Sequence, residues 1–291
     1  MDINKHRYYM SQVLLAIFRD KALCNLLAFK GGTSLLMFHN LPRFSTDLDF
    51  NLLDNTQTEF VFHQLHKLLL KFGTIDDEAM KFYGPILVLN YGKGERMLKV
   101  EVSSRQYDNH YEIQNLLGTN IRVMTMPDMF AHKLCALGER VTPRDVFDIW
   151  FFLNRHTEIN ENIIHLRTEM SVSEYCTRCA DVVRNTSAKA LMQGLGEVLL
   201  DSNSKTFVKT QLLTETAEAL QLFAAYPQIA QQQPTYRMQL LTAHPEVLQR
   251  MHEQDIDPSM VSEQQLIALI EKHLPLSLHS QYGEEIKFSL D

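Results

Sequence analysis

Two aspartates separated by one residue, Asp47 and Asp49, stand in the segment Asp47-Leu48-Asp49-Phe50-Asn51-Leu52, where polar and apolar residues alternate. Alternation of period two is the pattern of a half-buried strand, so both carboxylates face one way and Leu48 and Phe50 the other. Carboxylates so placed can share a pair of divalent cations ~3.5–4 Å apart, a geometry that activates an attacking oxygen and stabilises a leaving pyrophosphate. An Asp-x-Asp alone is more often a solvated strand edge, and its neighbours must decide.

Upstream lies Gly31-Gly32-Thr33-Ser34, between the apolar run Leu26-Leu27-Ala28-Phe29 and Leu35-Leu36-Met37. That order reads as strand, tight turn and helix start. Unpaired backbone N–H groups at a helix N-terminus carry partial positive charge and bind phosphate. Two glycines clear the approach, and the hydroxyl of Thr33 or Ser34 adds a donor. Taken alone the turn is as readily an ordinary helix cap. A phosphate seat and an acidic dyad within one supersecondary unit form the signal.

A third acid is expected from Glu101. In Met97-Leu98-Lys99-Val100-Glu101-Val102-Ser103 the alternation puts Lys99, Glu101 and Ser103 on one face and Leu98, Val100 and Val102 in the core. If that strand neighbours the aspartates, Glu101 joins them; otherwise a cross-strand lysine–glutamate pair accounts for it.

These residues need a frame. Val13, Leu14, Ile17 and Phe18 recur at helical spacing among the first twenty residues, and residues 56 to 72 carry a similar stripe. Strands at 85–89 and 97–102 flank Gly92-Lys93-Gly94, a hairpin signal, and Ile121 to Thr125 reads as a further strand. Met126-Pro127 opens a helix to about Gly138, and Thr142-Pro143, with Asp145 third, caps another. Lys133 and Arg140, seven apart, share a face if the first of these helices reaches that far, and there they could meet a polyanion opposite the carboxylates. Arg144 and Asp148, four apart, can simply pair along the second. His132 reads as a packed or solvent-facing histidine rather than a base. Beyond residue 158 only helical patterns occur, with a linker at Gln231 to Pro234. The expected class is α+β: a small mixed or antiparallel sheet with flanking helices, then an all-α half. The expected domains are 1–157, 158–230 and 231–291.

The 291 residues, 45% hydrophobic and 22% charged, suit one large globular domain or two ordinary ones. No run has the length of a membrane span, and the first twenty residues have no signal-peptide pattern. Four cysteines then fit a reducing cytoplasm. Cys176 and Cys179 form a lone C-x-x-C, which at helical spacing reads as packing rather than a zinc site. Residues 251–291 hold 2 basic and 8 acidic side chains, a net −6, against 26 basic and 27 acidic, a net −1, in residues 1–250. A near-neutral body with a separate acidic extension leaves a nucleic-acid partner possible without supporting one.

The run Lys30-Gly31-Gly32-Thr33-Ser34-Leu35 through Arg43-Phe44-Ser45-Thr46-Asp47-Leu48-Asp49-Phe50 resembles the AbiEii/MenA nucleotidyltransferase toxins, a branch of the polymerase-β-like superfamily. So does Ala131-His132-Lys133-Leu134 followed by Arg140 and Arg144-Asp145-x-x-Asp148-Ile149. The resemblance spans roughly residues 10 to 225. It implies that Gly32 and Ser34 form the phosphate motif, that Asp47 and Asp49 bind Mg²⁺ (or Mn²⁺), that Lys133 holds the triphosphate, and that Asp148, or Asp145, is a required acid. It further implies transfer of NMP from an NTP to an RNA acceptor, a tRNA 3′ end by family default. The chain would then be the toxin of a toxin–antitoxin or phage-defence system, with a cognate antitoxin as partner. Nucleotidylation of a protein hydroxyl is the rival reaction. A non-catalytic NTP- or partner-binding module is the rival of another class, and the intact Ser34, Asp47, Asp49 and Lys133 argue against it.

Overall fold

The computed structural model describes residues 2–199 and 201–225, and the linker and acidic extension read at 231–291 lie outside them. In chain order the elements are α1 (Ile3–Arg19), α2 (Leu23–Leu26), β1 (Leu27–Lys30), α3 (Gly31–Phe38), β2 (Leu48–Leu52), α4 (Thr58–Leu69), β3 (Thr74–Lys81), β4 (Gly84–Asn90), β5 (Leu98–Ser103), β6 (Tyr111–Leu116) and β7 (Thr119–Met124). Helices follow: α5 (Met126–Glu139), α6 (Pro143–Asn154), α7 (Glu161–Thr168), α8 (Val172–Arg184), α9 (Ala188–Leu195), α10 (Ser202–Thr210) and α11 (Leu212–Ala225). The fold is α+β, with a mixed sheet in the N-terminal half and a helical region after it.

The seven strands lie in the order β3-β4-β5-β2-β1-β7-β6. The β4–β5 pair is the antiparallel hairpin that its glycine turn announced, whereas β2 runs parallel to β5 and β1 parallel to β7. The central strands are short and apolar on one face: Leu27, Phe29, Leu48, Phe50, Leu52, Leu98, Val100 and Val102 are all buried. Behind that face α1 packs on β7, and α4 on β3 and β4. Helix α1 starts where Asp2 accepts from the amides of Asn4 and Lys5, an N-cap that satisfies two otherwise unpaired donors. Its buried stripe runs through His6, Met10, Val13, Leu14 and Ile17.

The two outermost strands are the ones that the hydrophobic pattern does not reveal. Thr-Ile-Asp-Asp-Glu-Ala-Met-Lys in β3 is almost wholly exposed, and Tyr-Glu-Ile-Gln-Asn-Leu in β6 only partly buried. An edge strand is fixed by its neighbour's backbone, and charges there oppose edge-to-edge pairing between molecules, so little periodicity is left to read.

One apolar core continues from the sheet through the helices: α5 packs on α6, α7 and α8, and α11 on α6 and α8. Cys176 and Cys179 lie inside it as free thiols, and burial pushes both above the ordinary thiol range.

Candidate active site

The site grows from the polar face of the three central strands. The register pairs Lys30 of β1 with Asp49 of β2, and Asp49 with Glu101 of β5. Register partners share a face, so lysine, aspartate and glutamate form one row across the sheet. Asp47 immediately precedes β2, and Lys99 lies two residues before Glu101. The Lys99 ammonium bridges the acids, 2.8 Å from Glu101 and 3.8 Å from Asp47. The lysine–glutamate pair is therefore made along one strand, and Glu101 also neighbours the dyad.

Burial sets the electrostatics of this row. The Asp49 carboxyl is raised to about 6, chiefly by burial and further by Asp47 and Glu101, against the pull of Lys99 and Lys30. Burial also lowers Lys30 to about 8, although Asp49 and Glu101 both favour its charged form. The register thus sets a lysine beside the aspartate on the polar face of the sheet. Glu101 is lowered despite burial, because Lys99 donates to it and Lys30 and Arg140 add attraction.

The glycine turn meets the acids directly. Gly31 has φ +82°, where side chains are strained, and a Cβ there would lie 2.6 Å from Asp49 Oδ2. Asp49 thus aims at the start of α3, and glycine is what permits the approach. A Cβ at Gly32 would lie 2.8 Å from Arg43 Nη2. The Thr33 hydroxyl donates to the Asp47 carbonyl (2.5 Å) and pairs with Ser45 Oγ (2.9 Å), tying the first turn of α3 to the strand entrance. Ser34 is fully buried, and its hydroxyl has no protein partner. On the other side His6 donates from Nε2 to the Thr46 carbonyl (2.9 Å) and accepts from the Tyr91 hydroxyl at Nδ1 (2.5 Å), since a carbonyl can only accept. Burial lowers its pKa and keeps this tautomer neutral.

Behind the turn lies an ion network that joins distant segments. Arg43, only 2% exposed, grips the fully buried Asp148 in a fork, Nε to Oδ1 at 2.7 Å and Nη2 to Oδ2 at 2.6 Å. Lys133 of α5 reaches the same Asp148 (2.7 Å) and also Asp145 (2.8 Å). Asp145 in turn accepts from the Thr142 hydroxyl at 2.5 Å, within the N-cap of α6. Arg43 and Lys133 hold Asp148 below the usual carboxylate range against its burial. Asp148 therefore pairs across the fold rather than with Arg144 along its own helix. Arg144 lies instead within the field of Asp47. Helix α5 ends at Glu139, so Arg140 is its exposed, extended C-cap and Lys133 turns inward to the two aspartates. The shared helical face expected of Lys133 and Arg140 is not formed, because the helix stops one residue short and two buried acids capture the lysine.

Lys30, Arg43 and Lys99 carry more of the site than their types announced. Lys30 and Arg43 border the glycine turn and the acidic strand, and Lys99 shares the Glu101 face. Only the register and the fold reveal whom they meet.

Whether this donor set suits a divalent cation can be tested on its chemistry. Asp47, Asp49 and Glu101 offer hard oxygens of the kind that Mg²⁺ and Mn²⁺ prefer. The ammonium drawn between Asp47 and Glu101 is a tethered stand-in cation, and it shows that positive charge is favoured beside these acids. Among the described residues no three such side chains converge as a ready-made cage. The residues fit the ion as an open two-aspartate site with Glu101 beside it.

Residues 12–234 match the family described as "Nucleotidyl transferase AbiEii toxin, Type IV TA system", and the chain belongs to that family. It is accordingly a nucleotidyltransferase and a toxin of the type IV toxin–antitoxin class, which places it in the context of an antitoxin. Similar solved structures include JHP933 from Helicobacter pylori, at 20% identity and a TM-score of 0.47, covering 84% of this chain and 97% of that one. MenT4, a nucleotidyltransferase toxin from Mycobacterium tuberculosis H37Rv, follows at 18% identity and a TM-score of 0.44, covering 77% of this chain and 89% of that one. Comparison with curated proteins found no match. No helix among the described residues is long and apolar enough to cross a membrane.

Proposed function

We propose that this chain transfers NMP from an NTP to an RNA acceptor, a tRNA 3′ end, with Asp47, Asp49, Glu101, Lys133 and Asp148 as the working side chains. The observation that carries the reading is the approach of Asp49 to Gly31, which brings the acidic row against the N-terminus of α3. An NTP seated there would meet the amides of Gly31, Gly32, Thr33 and Ser34 and the spare Ser34 hydroxyl. Asp47 and Asp49, with Glu101, would hold Mg²⁺ or Mn²⁺, which when bound neutralises phosphate charge and makes an incoming hydroxyl more acidic. Lys30 and Lys99 add fixed positive charge beside the acids, and Arg140 reaches the same field from the end of α5. Lys133 serves the phosphate seat through Asp148 and Arg43, whose guanidinium lies under Gly32. The acceptor hydroxyl attacks the α-phosphorus in line, its proton passes to solvent or a nearby base, and pyrophosphate leaves. Positioning and charge neutralisation supply most of the acceleration, as phosphoryl chemistry generally requires.

The test is incubation of the full chain with each labelled NTP, Mg²⁺, tRNA and a cell lysate. Label is expected in RNA, and entry into protein would favour the rival acceptor. Asp49→Asn should lower transfer by at least about a thousandfold, comparable to losing a main electrostatic contributor, with an unchanged circular dichroism spectrum. Full activity in that variant would refute the assignment.

A further inference from the structure

The turn between β3 and β4 carries two aromatic side chains outside the core. Phe82 is 90% exposed and Tyr83 49% exposed, and their rings stand edge to face, centroids 4.8 Å apart at 83°. The Phe82 ring gains little from burial, yet the tip is fixed in place. The Ser104 amide donates to the Tyr83 carbonyl at 2.9 Å, and a Cβ at Gly84 (φ +113°) would collide with the Val102 carbonyl. The tip is therefore pressed onto the end of β5, the strand that bears Glu101. Over the Tyr83 ring lies the Arg105 guanidinium, 3.8 Å from the centroid, a cation–π stack. Arg105 follows the end of β5 by two residues, four beyond Glu101, and its charge acts on Lys30 and His132.

We propose that Phe82, Tyr83 and Arg105 form a stacking platform for the unpaired terminal bases of the RNA acceptor. This rests on the RNA-acceptor reading above and names where that RNA lies. Two observations favour RNA over a protein surface here. The patch is two rings wide, with Lys81 preceding it in the chain and Arg105 stacked on it, which suits a π-face and a phosphate rather than a broad apolar interface. The spacing also fits: Ile86 is in register with Glu101, so Tyr83, three residues away, lies ~10 Å from it along the strand. At ~3.4 Å per stacked base, about three bases span that distance, leaving the terminal hydroxyl at the acids.

The test is fluorescence anisotropy of a 5′-labelled single-stranded oligoribonucleotide and of labelled tRNA, with full-length protein and no NTP. The double variant Phe82→Ala/Tyr83→Ala should lose at least tenfold in affinity for both, while its KM for NTP and its melting temperature stay at wild-type values. Tyr83→Trp should bind as wild type does, since a ring face is retained. Wild-type RNA affinity in the double variant overturns the platform while the acceptor reading stands. A wild-type chain that binds neither RNA overturns the platform as well, and NTP label entering protein instead would show that the acceptor reading has failed with it.

Discussion

Lys99 stands where two acids converge, and its ammonium offsets charge that a divalent cation would otherwise offset. Lys99→Met should therefore tighten Mn²⁺ binding to the NTP-free protein several-fold, read by electron paramagnetic resonance of free Mn²⁺; weaker binding would mean that the lysine assists the ion instead. A second residue speaks through pH. His132 accepts from Arg167 at Nδ1 (2.9 Å) and donates from Nε2 to Asn109 (2.7 Å). Burial, with Lys30, Arg167 and Arg105 nearby, lowers it to about 3. The unfolded chain binds this proton near pH 6.5 and the folded chain does not, so stability is full above that pH and falls as acid is added. His132→Gln should flatten the acid limb of the stability–pH curve by up to one proton, about 1.4 kcal/mol per pH unit. Parallel wild-type and variant curves from urea unfolding would contradict it.

Among the elements, α6 depends on a buried charge. Its Asp148 is the shared partner of Arg43, from the loop before β2, and of Lys133, from α5. Three chain segments thus meet at one carboxylate beneath the glycine turn. Removing one partner of a buried pair leaves the others uncompensated, a loss of about 3–5 kcal/mol. Asp148→Asn keeps the shape and deletes the charge, so its melting temperature should drop by roughly 10 °C. Transfer should fall too, since Gly32 rests against Arg43. A melting temperature within a degree or so of wild type would show that the network contributes little.

For the whole molecule, charge distribution matters more than the total of −7, because residues 251–291 hold most of it. An acidic segment on a polyanion-binding protein opposes association, and salt screens that opposition. A chain ending at residue 250 should bind tRNA more tightly at low ionic strength, with the difference vanishing at high salt. Equal affinity at low salt would count against any electrostatic part for the extension.

The sequence by itself determined the short-range features. Period-two alternation placed Asp49 on the polar face of a strand with Asp47 at its entrance, two glycines marked the turn, and Thr142-Pro143 marked the start of α6, because each follows from backbone sterics over a few residues. The α+β class was legible for the same reason, as was the Glu101 face. Sheet order was not. That Glu101 lies beside Asp49, and Lys30 on the other flank, depends on which strands pair and in what register, a choice made by long-range packing. The edge strands β3 and β6 escaped because their exposed side chains carry no burial pattern. The Arg43–Asp148–Lys133 network escaped because its members lie far apart in the chain. Only the closed fold, by burying Arg43 and Asp148 and bringing Lys133 to them, makes their charges answer one another.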